Sequence, residues 1–163
     1  VLIKAVSKLA AGSITLAVVG KMDIDPAYTE TIMRQVEEGG IAQQVQFLGS
    51  VSDQRLVSIL ESSHALTIPS AYEGYGIAYL EGMGFGLPAL GTTAGGAQEI
   101  IQHNIDGFLI QSGDSSALAD HLLQLSQNRE RLAEMGIAAR NRYLTQPTWA
   151  TTTRCIRDFL CRL

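Results

Sequence analysis

The sequence predicts an α/β fold: a Rossmann-like, doubly wound parallel sheet. Short apolar, β-branched runs alternate with helical patterns as far as about residue 110, which implies parallel strands joined by right-handed crossovers. Three of these runs end on Gly20, Gly49 and Pro69, the punctuation expected where a strand gives way to a loop. With 163 residues, 46% hydrophobic and 17% charged, the chain suits one domain with a sizeable core.

The first stretch, VLIKAVSKLAAG, reads as an amphipathic helix with Val1, Leu2, Ala5, Val6 and Leu9 on its apolar side. It has no cap in front of it, so the chain reads as a piece of a longer protein. Ile14 to Val19 is a continuous apolar run, the pattern of a central strand buried on both faces. Asp25-Pro26 then supplies an N-cap and a first-position proline for a helix that stops at Gly39-Gly40. Val45 to Leu48 is the second strand, Ser52 caps a helix from Asp53 to about Glu61, and Ala65 to Ile68 is the third strand. Pro69 ends it, because proline donates nothing to a ladder.

Beyond Pro69 the pattern predicts a helix over Ile77 to Phe85 and a strand over Pro88 to Gly91. A brief helix follows near Gln98 to Gln102, then a strand over Gly107 to Ile110. Three helices finish the chain: Ser115 to Gln127, Asn128 to about Leu144, and Pro147 to Leu160 with Pro147 at its first position.

Composition narrows the function. The formal net charge is −4 and no Lys/Arg cluster is present, which argues against a nucleic-acid partner. No apolar run approaches a transmembrane span and no signal peptide is visible. Cys155 and Cys161 match no metal spacing and read as reduced, small apolar fillers of a cytoplasmic protein.

In open α/β sheets ligands sit beyond the carboxyl ends of the strands. Four loops qualify here: Gly20-Lys21-Met22, Gly49-Ser50-Val51, Ser70 to Gly76, and Thr92 to Gly96. The first lacks the G-x-G-x-x-G of a dinucleotide site, and no P-loop occurs. The third is the informative one. Gly74 and Gly76 allow close backbone approach, and Gly76 opens a helix whose free N–H groups favour an anion such as a diphosphate. Glu73 in the loop and Glu81 on the helix add carboxylates, which suit vicinal hydroxyls rather than phosphate. The combination points to phosphate flanked by sugars.

The residues Glu73-Gly74-Tyr75-Gly76 through Leu80-Glu81-Gly82-Met83, then Gly86-Leu87-Pro88, Gly95-Gly96, Glu99 and Asn104 to Leu109, resemble the E-x₇-E core of family-4 retaining glycosyltransferases. The run-ins VQFLGSV and HALTIPS are similar too, and the resemblance covers essentially the whole chain. It implies the C-terminal, donor-binding half of a GT-B architecture, here without its first strand and without the N-terminal acceptor domain. By that resemblance Glu81 binds the ribose, and Glu73, Gly74, Tyr75 and Gly76 hold the transferred sugar. Gly76, Ile77 and Ala78 hold the diphosphate, and Gly49, Ser50 and Val51 border the base.

The resemblance implies a UDP-, GDP- or ADP-linked donor, no cofactor, no metal, and no catalytic side chain within this fragment. Any membrane contact falls to the missing domain. Two departures stand out. Gly82 and Gly84 replace the usual alanines, and the family's Arg/Lys pair that faces the diphosphate is absent, since Lys4 and Lys8 lie beyond its position. A non-catalytic nucleotide-sugar or protein-docking module, and a GT-B nucleotide-sugar epimerase, are the alternatives.

Other prominent residues read as structural. Glu99 caps a turn or pairs locally, Asp106-Gly107 makes a turn, and Trp149 anchors the last helix. Tyr72 and Tyr79 pack, and His64, His103 and His121 have no clustered partners.

Overall fold

A computed structural model describes residues 1–162. The elements run α1 (Leu2–Val6), β1 (Leu16–Val19), α2 (Pro26–Glu38), a 3-10 turn (Ala42–Gln44), β2 (Val45–Gly49), α3 (Asp53–Ser62) and β3 (Leu66–Ile68). They continue α4 (Ile77–Gly84), β4 (Ala89–Thr92), α5 (Ala97–Ile100), β5 (Gly107–Ile110), α6 (Ser115–Gln127), α7 (Arg129–Leu144) and α8 (Trp149–Leu160).

Local chemistry sets these boundaries. The Asp25 carboxylate accepts the Tyr28 N–H at 3.0 Å and starts α2, and the Ser52 hydroxyl accepts from Arg55 N at the head of α3. Asn128 caps α7 through Arg131 N at 2.9 Å. Each cap satisfies an N–H that the helix itself cannot.

All strand pairs are parallel, in two blocks: β1 with β2, and β3–β4–β5 in that order. Three apolar clusters hold them. Leu90, Phe108, Leu118 and Met135 centre one, beneath β4, β5, α6 and α7. Tyr79, Met83, Ile100 and Ile101 form a second around α4 and α5. Ile3, Val6, Val36, Ile41 and Val45 form a third between β1, β2, α1 and α2. Helix α1 ties the blocks together, placing Ala5 in the first cluster and Ile3 and Val6 in the third. Full burial of each large side chain contributes about 1.5–3 kcal/mol.

Five expectations need correction. The β1 strand is not buried on both faces: Leu16 and Val18 turn inward while Ala17 and Val19 are exposed, because only one face meets α1 and α2. The first helix is one turn and a half rather than a dozen residues, and Ile3 joins its buried side. The last helix starts at Trp149 with Thr148 as cap, two residues after Pro147. None of its residues is buried; Trp149 is 85% exposed, and both cysteines are exposed. An anchor and apolar fillers belong in a buried place, and α8 buries none of its residues.

Candidate functional site at the glycine loop

The Ser70–Gly76 loop leaves β3 through Pro69 and returns into α4. Its floor is the Thr92–Gly96 loop. Glu73 N donates to Ala94 O at 3.3 Å and Gly96 N donates to Glu73 O at 2.8 Å. Two glycines make that approach feasible. A Cβ on Gly95, whose φ is +81°, would lie 2.0 Å from Glu73 O, and one on Gly96 would lie 2.7 Å from Gly74 O. The Gly-Gly pair singled out in the sequence therefore fixes the backbone of Glu73.

Gly76 is the N-cap of α4, with φ +92°. A Cβ there would sit 2.6 Å from the Tyr79 ring. Gly74 differs: its φ is not positive, and a Cβ on it would meet nothing within 4 Å. Its side is open to a ligand rather than strained. Among the described residues, no acceptor serves the N–H groups of Gly74, Tyr75, Gly76, Ile77 or Ala78. Gly74, Tyr75, Ile77 and Ala78 are exposed. Unsatisfied donors at a helix N-terminus make an anion-binding concavity.

The Glu73 carboxylate is half-buried, Glu81 is exposed, and neither has a hydrogen-bonding or ion-pair partner among the described residues. Glu81 borders a groove of about 830 Å³ with Asp53, Val57, Phe85, Arg140 and Tyr143. Glu73 does not line that groove. The first two loops meet each other instead, through Gly20 N donating to Gly49 O at 3.0 Å. No hydrogen bond among the described residues joins Gly49-Ser50-Val51 to the Glu73 loop. Lys8 is occupied elsewhere, donating to the hydroxyls of Ser115 and Ser116 at 3.1 and 2.7 Å.

Several contacts were not legible beforehand. Tyr79 is fully buried, and its hydroxyl donates to Ile68 O at 2.6 Å. Burial, and secondarily the Glu73 carboxylate, push its pKa up to about 12, so it stays a donor. Thr92, also fully buried, donates to Ser70 O at 2.8 Å. Tyr72, by contrast, is 75% exposed and does not pack.

Asp106 is more than a turn residue. It is buried, accepts from Gln102 N at 2.7 Å, and burial raises its pKa against the pull of that N–H and of Arg142. Arg142 itself donates to the carbonyls of Glu99 and Ile100, tying α5 to α7. His103 and His121 do cluster, with ring centroids 5.8 Å apart around Phe108.

Comparison with known proteins decides the class. Residues 1–142 match the family model described as glycosyl transferases group 1. The chain belongs to the group 1 glycosyltransferases. Among curated relatives of this group 1 chain, a GDP-mannose-dependent α-(1-6)-phosphatidylinositol monomannoside mannosyltransferase of Mycobacterium tuberculosis is 30% identical over 140 residues, which cover 82% of this chain and 36% of that protein. An N-acetyl-α-D-glucosaminyl L-malate synthase of Bacillus anthracis is 36% identical over 110 residues, covering 68% and 28%. The chain thus spans about a third of the length of these relatives. In fold it matches Anabaena HepE, solved in complex with UDP and glucose, at a TM-score of 0.89 and 24% identity, over 99% of this chain and 44% of that one. In fold the parallel α/β domain matches the C-terminal domains of GT-B glycosyltransferases.

Proposed function

We propose that this domain binds the donor of a retaining sugar transfer, a nucleotide-diphosphate sugar, and that the acceptor is bound by another part of the protein. The observation that carries the reading is the run of five unsatisfied N–H groups from Gly74 to Ala78, bracketed by two unpartnered carboxylates. The N–H run receives the diphosphate, whose charge the helix dipole favours. Glu73 accepts from hydroxyls of the transferred sugar and Glu81 from the ribose, each as a charged acceptor of neutral donors. Gly49, Ser50 and Val51 border the base, which the backbone reads.

In this reading Glu73 and Glu81 are not a general acid and base. The leaving phosphate assists the acceptor hydroxyl, and no metal enters. In this reading the basic groups that face the diphosphate come from another part of the protein. This chain alone binds donor weakly and transfers no sugar.

Titration of the chain with UDP-, GDP- and ADP-sugars, followed by backbone amide chemical shifts, tests the reading. Shifts concentrated on Gly74 to Glu81 are the expected result. No perturbation there with any of the three would refute it.

A further inference from the structure

We infer that Tyr79 and Thr92 are positioning residues that set the Glu73 loop for its ligand; the link to donor affinity rests on the functional reading above. Strand β3 pairs with β4 only as far as Ile68 opposite Gly91. Beyond it Pro69 brings no N–H, and the Ser70 N–H turns back to Ile68 O instead of going on to β4. The carbonyls on either side of Pro69 each accept a side-chain hydroxyl: Tyr79 donates to Ile68 O at 2.6 Å, and Thr92 donates to Ser70 O at 2.8 Å.

A third bond closes the bend. Ser70 N donates to Ile68 O at 2.9 Å across Pro69, the i to i+2 pattern of a γ-turn, whose inverse form suits the fixed φ of proline. The two hydroxyls come from different elements. Tyr79 stands on α4, in the helix whose N-terminus carries the free N–H groups, and Thr92 ends β4. The exit direction of the loop is therefore coupled to both walls of the site.

The Tyr79 ring has a second task. It lies against Gly76 and Gly91 so closely that a Cβ on either would meet it at 2.6 and 3.0 Å. Gly76 and Gly91 thus make room for one side chain, whose hydroxyl then reaches the strand end. Three residues downstream of Thr92–Ser70, the bonds between Glu73 and Ala94/Gly96 complete the same seam. Remove one hydroxyl and the seam loses a buried bond: Ser70 O is left short of a donor without Thr92, whereas Ile68 O keeps the Ser70 N–H when the Tyr79 hydroxyl is gone.

The variants Tyr79→Phe and Thr92→Val each delete one hydroxyl with little change of volume, and Thr92→Ser keeps the hydroxyl. Amide hydrogen exchange is measured on the chain with and without UDP-glucose, GDP-mannose and ADP-glucose, together with donor affinity. Each deletion is expected to speed exchange at Glu73 and Gly96 by about fivefold, the worth of one hydrogen bond. Exchange in α6 should not change, and affinity for whichever donor binds should weaken by a similar factor. Thr92→Ser should restore both. Unchanged exchange at Glu73 and Gly96 in Tyr79→Phe and Thr92→Val overturns the inference. If the unaltered chain binds none of the three donors, the functional reading fails, while the exchange comparison still decides whether the hydroxyls set the loop.

Discussion

At the scale of single residues, the glycines carry the clearest physics. Gly82 and Gly84 both stand in α4, where glycine costs roughly 1 kcal/mol relative to alanine. Their surroundings differ. A Cβ on Gly82 would lie 2.7 Å from Leu66 Cδ2 and 3.0 Å from Leu66 Cβ, in the core. One on Gly84 would meet only the edge of the Tyr143 ring at 3.3 Å, and Tyr143 is 41% exposed. Overpacking costs typically 1–3 kcal/mol. Gly82→Ala should therefore destabilise by up to about 2 kcal/mol despite the better helix former, whereas Gly84→Ala should be neutral or stabilise by up to about 1 kcal/mol. Urea melts of the two variants check the opposite signs. The sequence showed two glycines where alanine is commoner; only the structure shows that one makes room for β3 and the other meets a yielding ring.

Elements were legible where side chains cap or break them locally. Asp25, Ser52 and Asn128 act as the caps their positions imply, and the bounds of β5 and α6 agree with the pattern. What pattern could not show is tertiary. The apolar side of α8 looks like a packing face, yet Trp149, Ile156, Phe159 and Leu160 stay largely exposed.

Helix α6 gives a second case, since His121 carries no local sign that it will stack on Phe108 at 4.0 Å. Burial, and then His103, hold the His121 pKa below its ordinary value, against Gln124, Asp120 and Asp114. The unfolded chain therefore binds more protons as pH falls through about 6.5, and stability that is full above that pH declines below it. Asp106, with its raised pKa, acts in the opposite direction. Thermal melts between pH 7.5 and pH 5 should show a shallower decline in His121→Gln than in the parent chain. Equal slopes would contradict the assignment.

For the whole molecule, alternation and punctuation gave an α/β parallel fold, and the motif order gave its family, both of which the structure and the family match bear out. The division of the strands into two blocks was not readable, because pairing is a property of neighbours that a run such as Ile14 to Val19 does not name. The glycine loop was found from Glu73, Gly74 and Gly76, while its seam of Tyr79, Thr92, Gly95 and Gly96 emerged only once β3 and β4 were seen side by side. Sequence placed the donors and carboxylates; the fold supplies what holds them still.

The central claim, that Glu81 reads the ribose of a nucleotide held on the Gly74–Ala78 amides, is tested most directly by comparing a nucleoside diphosphate with its 2′-deoxy form. Calorimetry on the chain and on Glu81→Ala provides the measurement. A charged hydrogen bond is worth about 1.5–3 kcal/mol, so the parent chain should prefer the ribonucleotide by roughly ten- to a hundredfold. Glu81→Ala should lose that preference and bind both forms alike. Equal affinity of the parent chain for both forms, or an undiminished preference in Glu81→Ala, would contradict the account.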